Sequence, residues 1–231
     1  MRLDKYLLTK YPQYTRSKIQ DLIKRNLVLV NNNPVNKTGY EVKKSDQIVV
    51  LEDLKYASRA GMKLEYAASK LNLNFNDLIV LDVGSSTGGF TDYSLINGAK
   101  LVYAYDVGTD QMIERLRNDE RVILAEKTNI LNVNPPQVDL ILIDISFSSS
   151  KLILKHLKDK ANQILLLIKP QFEVGKEYLK KGIVKDKKRV QMLLEEYREL
   201  ANEYNFSNIE LFPTNLPGKN GNLEYWLYLA K

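Results

Sequence analysis

The sequence predicts an α/β protein in which a mostly parallel sheet is wrapped by helices on both faces and preceded by a small basic α+β unit. Three observations predict it. From Asp77 onward, short apolar runs alternate with helical segments, the pattern of repeated βαβ units. One of these runs ends in an acidic residue followed by a glycine-rich turn into a helix. A length of 231 residues, at roughly 150 per domain, provides for one full domain and a small one.

Composition narrows the chemistry. With 44% hydrophobic and 27% charged residues the chain can bury a core and is not of disordered composition. The absence of cysteine excludes disulfides, zinc–thiolate sites, iron–sulfur clusters and cysteine nucleophiles. The single histidine, His156, excludes most imidazole metal sites and supports no Ser/His/acid triad, and no metal is expected. His156 itself falls in the polar helical stretch 151–160 and is expected to be solvated. Arg2, Asp4, Lys5 and Lys10 interrupt the N-terminal apolar residues, so no signal-peptide core is expected. Apolar runs such as 164–168 are far shorter than the roughly 18 residues of a membrane span. A cytoplasmic protein without a membrane partner is the expectation.

The elements follow in order. Leu3, Leu7 and Leu8 have helical spacing until Tyr11–Pro12 stops the segment. Thr15 can cap a second helix over residues 16–25, with Ile19, Leu22 and Ile23 as its apolar stripe. Residues 27–30 and 47–51 read as short strands, with Asn31 to Pro34 turning between them. Strands are then predicted at 78–83, 101–107, 121–124, 138–143 and 164–168, a helix around 190–204, and terminal strands at 209–213 and 225–229. The expected division is an N-terminal unit 1–52, a linker 53–58 and a main domain 59–231.

Charge separates the two units. Residues 1–52 hold ten Lys/Arg against five Asp/Glu, whereas the rest holds 24 against 23. A basic module gains affinity by neutralising phosphates and releasing counterions, although a solvated basic face has the same composition. A second basic stretch runs from Lys169 to Arg189 inside the main domain.

The turn Gly84-Ser85-Ser86-Thr87-Gly88-Gly89-Phe90, with Asp82 at the end of the preceding strand, reads G-x-x-x-G-G. It differs from the dinucleotide fingerprint G-x-G-x-x-G and is less suited to a pyrophosphate. Glycines here are expected to let a ligand approach the backbone. Asp106 ends the next strand, where a carboxylate can accept hydrogen bonds from ribose hydroxyls. Together with Asp82 these features point to S-adenosylmethionine. Asp144 and Lys169 end the two following strands and are expected beside the same crevice. Burial and a neighbouring cation favour a neutral lysine that can act as a base, with Asp144 orienting it; a structural ion pair at a strand end is the alternative. Lys63 and Glu224 lie at segment edges, where a residue taken alone is more often a surface charge.

These residues carry a resemblance. The motifs are Arg2-x-Asp4 with Thr15-Arg16-Ser17-Lys18, Ser58-Arg59-x-Gly61-x-Lys63-Leu64, the Asp82–Asp92 turn, Asp106-Val107-Gly108, Asp144-x-Ser146-Phe147, Lys169-Pro170-Gln171-Phe172-Glu173, and Gly221-Asn222-x-Glu224-Tyr225. Over nearly its whole length the chain resembles the TlyA family of haemolysin-A-like ribosomal RNA methyltransferases. In that family an RNA-binding module of the type found in small-subunit ribosomal protein S-four precedes an FtsJ-like methyltransferase domain. The resemblance implies a Rossmann-like, seven-stranded methyltransferase sheet, S-adenosylmethionine as cofactor, and ribosomal RNA or a ribosomal subunit as partner of a monomer. It implies a catalytic set of Lys63, Asp144, Lys169 and Glu224 for 2′-O-methylation. Cofactor contacts are expected from Asp82, Gly84, Ser85, Thr87, Gly88, Gly89, Phe90, Asp106, Val107, Asn129 and Asp144. RNA contacts are expected from Arg2, Arg16, Lys18, Lys43 and Arg59. Ala60 departs from the glycine of many relatives. The absence of terminal extensions resembles the shorter members that act on a large-subunit cytidine. Three rival readings are a membrane-lysing protein, as the haemolysin name would have it, a non-catalytic ribosome-binding factor, and RNA modification of another kind such as pseudouridylation. The intact polar set disfavours the second and the glycine turn the third.

Overall fold

The computed structural model describes residues 1–31, 33–50, 55–146, 149–218 and 221–231. Expectations at Asn32, Leu51, Phe147 and linker positions 53–54 lie outside the described residues. Two helices, α1 (Leu3–Lys10) and α2 (Arg16–Lys24), begin the chain, and Thr15 Oγ1 caps α2 by accepting the Lys18 N–H at 3.1 Å. Three short strands follow, β1 (Val28–Val30), β2 (Asn33–Pro34) and β3 (Ile48–Val50), in the antiparallel order β2-β1-β3. Leu3, Leu7, Ile19, Leu22, Ile23 and Val28 form their common core.

The main domain opens with α3 (Arg59–Leu71), capped by Ser58 and ended by Asn72 in the left-handed conformation, φ 52°. Then come β4 (Ile79–Val83), α4 (Gly89–Ile96), β5 (Leu101–Tyr105), α5 (Glu114–Arg117), β6 (Val122–Ala125), β7 (Leu140–Ile143), α6 (Ser150–Leu157), β8 (Gln163–Ile168) and α7 (Pro170–Glu173). A hairpin of β9 (Leu179–Lys180) and β10 (Ile183–Val184), the long α8 (Lys187–Glu203), β11 (Asn208–Pro213) and β12 (Tyr225–Ala230) complete the chain. The expected strands lie within three residues of their expected bounds, and β2 forms at positions 33–34, which were expected as part of a turn. α4 is the helix expected after the glycine turn, whereas α3, α5, α7 and the hairpin had no assigned place in the sequence reading.

Seven strands form one sheet in the order β11-β12-β8-β7-β4-β5-β6. The pairs among β4 to β8 are parallel, whereas β12 runs antiparallel to both β8 and β11. One face packs against α3, α4 and α5 through Leu64, Phe90, Leu116 and Trp226; the other packs against α6 and α8 through Leu154, Leu157, Leu193 and Tyr197. Burial on both faces explains why β7 and β8 read as continuous apolar runs. Successive strands are added outward from β4 through β5 to β6, and the chain then returns to place β7 on the other side of β4. That reversal puts a crevice beyond the carboxyl ends of β4 and β7, where open α/β sheets bind ligands.

Helix α6 is amphipathic, with Ile153, Leu154 and Leu157 buried. His156 corrects the expectation of a solvated imidazole: it is half-buried, and its Nε2 lies 2.9 Å from the Val133 carbonyl oxygen.

Candidate active site

The topology gathers the reacting groups. Val83 pairs with Ile143, so Gly84 and Asp144 leave adjacent strands side by side. Lys169 directly follows β8. Because β12 is antiparallel and Tyr225 pairs with Ile168, Glu224 comes to the same edge from the opposite chain direction. Lys63 reaches this edge from α3. A cleft of about 550 Å³ results, lined by Lys63, Asp82, Ser85, Phe90, Asp144 and Lys169 among others, a size suited to a small-molecule cofactor.

The four residues meet as two ion pairs. Lys63 Nζ donates to Glu224 Oε2 at 2.5 Å, with side chains only 10% and 3% exposed. Lys169 Nζ pairs with Asp144 Oδ1 and lies 3.2 Å from Ser146 Oγ. Gln171, two residues after Lys169, donates to Glu224 Oε1 at 3.3 Å and ties one pair to the other. Behind them, Glu173 accepts the Ser150 N–H at 2.8 Å and the Ser149 and Ser150 hydroxyls at 2.8 and 2.7 Å. This clips the helix that follows the Asp144 strand to the one that follows Lys169. Sequence reasoning assigned no role to Ser146, Gln171 or Glu173, although the last two stand in the same short motif as Lys169.

The chain's own packing also bears on the glycine turn. Gly84 (φ +86°) lies where a Cβ would meet the Asp144 carbonyl oxygen at 2.4 Å, and Gly88 (φ +93°) where it would meet Leu116 Cδ1 at 2.4 Å. At Gly89 a Cβ would meet Ser58 Oγ at 2.4 Å and Ala60 Cβ at 2.9 Å. The backbone approach at Gly84 and the positive φ at Gly84 and Gly88 favour glycine whether or not a ligand is present, and Gly89 lets α4 start against α3. Gly88→Val is accordingly expected to lower stability by about 1–3 kcal/mol through overpacking and strain, whether or not cofactor is present. Urea unfolding of the wild type and the variant checks this, and equal midpoints would overturn it.

Asp82 is fully buried; its Oδ2 accepts the Thr91 N–H at 3.0 Å and the Thr91 hydroxyl at 2.7 Å. Its Oδ1 and the buried Ser85 Oγ have no hydrogen-bond partner among the described residues. Burial pushes the Asp82 carboxyl up to about 7, with the Thr91 bonds opposing the shift and Asp144 adding to it. An unfolded aspartate ionises near 3.9, so between about pH 4 and 7 the folded chain keeps a proton that the unfolded chain has lost. Stability therefore falls as pH rises through that window. Asp82→Asn should flatten the fall, as read by denaturant midpoints at pH 5 and 8; an equal fall in both proteins would contradict the assignment.

Asp106 accepts the Ser86 N–H at 2.8 Å and the Gly108 N–H at 2.7 Å, one on each oxygen. It thus braces the turn, and each oxygen keeps further acceptor capacity. Val107 beside it is 70% exposed. Asn129 uses its side-chain oxygen to cap the short 130–132 helix by accepting the Leu131 N–H at 3.0 Å. Ser85, Thr87, Gly89 and Phe90 line the cleft; Gly88 faces Leu116 instead.

The N-terminal unit supplies another wall of the cleft through α2, including Lys18, Asp21 and Lys24. Here two expected RNA contacts are corrected. Lys18 is 6% exposed, donates to the Tyr56 carbonyl oxygen at 3.2 Å and lies over the Tyr14 ring; burial lowers its pKa to about 8. Arg59 donates to the Pro217 carbonyl oxygen at 3.1 Å and lies 3.7 Å from Asp21. Both join the units instead of presenting a free cation. Arg2 and Arg16 do lie together, at 2.9 and 3.7 Å from the buried Asp4 carboxylate, and Lys43 is exposed on a turn.

Comparison with known proteins agrees with this construction. Residues 56–231 match the FtsJ-like methyltransferase family and residues 1–48 the S4 domain. Hemolysin A of Brachyspira hyodysenteriae is 36% identical, with 97% of this chain and 98% of the relative covered. The 23S rRNA (cytidine-2'-O)-methyltransferase TlyA of Campylobacter jejuni is 32% identical, with 100% of both chains covered. A solved hemolysin structure from Streptococcus thermophilus has a TM-score of 0.78 at 37% identity, covering 100% of this chain and 88% of that one. On the sheet order, the cleft and these matches, the chain belongs to the FtsJ-like methyltransferase family and carries an N-terminal S4 domain.

Proposed function

We propose that this chain methylates the 2′-hydroxyl of a cytidine ribose in large-subunit ribosomal RNA, using S-adenosylmethionine. The observation that carries the reading is the convergence of two carboxylate-paired lysines on the cleft beside the glycine turn. The residues fit the cofactor. Asp82 Oδ1 and Ser85 Oγ are buried polar atoms at the cleft that need partners, and the amino acid end of S-adenosylmethionine carries both an ammonium donor and a carboxylate acceptor. Asp82, Ser85 and the turn would hold that end, and Asp106 and Val107 the nucleoside. When bound, the cofactor supplies an electrophilic methyl group on a sulfonium.

A ribose hydroxyl is a weak nucleophile, so the protein must accept its proton and stabilise the developing negative charge. Lys169 is the base in this reading: Asp144 and Ser146 fix its Nζ at the cleft, the ammonium first releases a proton to solvent, and the neutral amine then takes the proton of the 2′-oxygen as the methyl group is transferred. Lys63, held by Glu224, places a preorganised positive charge at the same wall, where it favours the alkoxide-like transition state. Gln171 keeps the two pairs in register. The S4 domain positions the RNA through Arg2, Arg16 and Lys43, as a monomer divided into 1–52, a 53–58 linker and 59–231, and acts in the cytoplasm where ribosomal RNA is found. The lytic alternative is not favoured: among the described residues no helix is long and apolar enough to cross a membrane, and a paired-lysine cleft has no part in lysis. Primer extension on 23S rRNA at low nucleotide concentration tests the proposal. A single enzyme- and cofactor-dependent stop at a cytidine is expected, and an unchanged extension pattern would refute it.

A further inference from the structure

The basic stretch after α7 has no part in the chemistry above. Its centre is the β9–β10 hairpin, with Leu179 opposite Val184 and Lys180 opposite Ile183. The two residues between the strands, Lys181 and Gly182, have φ of +52° and +76°, the signature of a two-residue primed turn. Glycine and asparagine enter that conformation readily, whereas a long side chain does so at a cost. Nothing in the packing calls for lysine there: a Cβ at Gly182 would meet no atom within 4 Å, so the tip is open.

Positive charge is in excess around the tip, six lysines against Glu177 and Asp186 over residues 176–188. Lys176, Lys180, Lys181, Lys185, Lys187 and Lys188 are all exposed, and none forms an ion pair among the described residues. Asp186, the nearest carboxylate in sequence to several of them, is engaged as the cap of α8, accepting the Arg189 N–H at 3.0 Å. Like charges at this spacing repel, and a polyanion laid along them relieves that repulsion.

The hairpin is also fixed relative to the reacting groups. Asn222, which is buried, accepts the Val184 N–H at 3.0 Å and donates to the Gly182 carbonyl oxygen at 2.9 Å. Two residues later the same segment presents Glu224 to Lys63. At its other end, the hairpin is joined through α7 to Lys169. The lysines are strung along 13 residues rather than gathered round a hollow, which suits a chain of phosphates and not a small anion.

We propose that the hairpin over residues 176–188 is a second RNA-contact surface, separate from the S4 domain, which grips backbone phosphates of the strand flanking the target nucleotide. The identity of that RNA rests on the function proposed above; the phosphate contact does not. The test uses the full chain carrying Lys180→Gln, Lys181→Asn and Lys185→Gln, in which asparagine suits the positive φ of the turn. Binding to a 23S rRNA transcript is measured over a potassium chloride series, together with S-adenosylmethionine affinity by calorimetry and KM and kcat for methyl transfer. Three lysine-held phosphates at about 0.7 each should reduce the slope of log affinity against log salt by roughly 2, raise KM for RNA more than they lower kcat, and leave cofactor affinity unchanged. An unchanged slope overturns the hairpin surface, and so does a parallel loss of cofactor affinity, which would show an effect on the fold. If the slope falls but the wild type methylates no ribosomal RNA, the hairpin surface stands and the proposed reaction fails.

Discussion

Replacement of Lys169 by methionine is expected to lower methyl transfer by about 10²–10⁴, the usual contribution of one general base, with little change in S-adenosylmethionine affinity. The side chain keeps its length, and the Asp82, Ser85 and Asp106 contacts proposed for the cofactor are untouched. Lys169 is fixed by Asp144 and Ser146 at the end of β8, so its amine is positioned before substrate arrives. Lys169→Arg separates two roles. Arginine keeps a cation beside Asp144 but does not give up its proton in a protein; if Lys169 is a base, the arginine variant is as impaired as the methionine one. Single-turnover rates with saturating cofactor provide the measurement, and near-normal turnover by Lys169→Met would remove the assignment.

Glu224→Ala should have the largest effect on stability. It leaves Lys63, 10% exposed at its side chain, as an uncompensated charge in the wall of the cleft, and breaking one side of a buried pair typically costs about 3–5 kcal/mol. Removing both charges together, as Lys63→Met with Glu224→Gln, should recover most of that stability because no unpaired ion remains. Activity should not return, since the second cation of the site is gone. Chemical unfolding and turnover of the single and double variants check the two halves separately. A double variant that regained activity would reduce the pair to a structural bridge.

The sequence made the strands and the reacting groups legible for a local reason. β7 and β8 are buried on both faces and read as unbroken apolar runs, and a charged residue directly after such a run, such as Asp144 or Lys169, has to sit at a strand end. Glu224 was legible by motif alone, because its place beside Lys169 depends on the antiparallel pairing of β12 with β8. What lay beyond reach depended on distant contacts. Lys18 and Arg59 looked like free cations until Tyr56, Asp21 and Pro217 were brought to them, the last from 158 residues away. The packing role of Gly88 was out of reach because Leu116, which a Cβ there would meet, lies on a short helix that the periodicity did not reveal. The hairpin was missed because strands of two residues carry no alternation and Lys-Gly is a weaker turn signal than Asn-Gly.

The proposed reaction is the transfer of a methyl group to a ribose oxygen of ribosomal RNA. Its most direct measurement is mass spectrometry of nucleosides from 23S rRNA incubated with the protein and methyl-deuterated S-adenosylmethionine. The expected result is deuterated 2′-O-methylcytidine as the product, formed about 10²–10⁴-fold more slowly with Lys169→Met. Deuterium on a base, or no incorporation by the wild-type chain into either free rRNA or assembled large subunits, would contradict the claim.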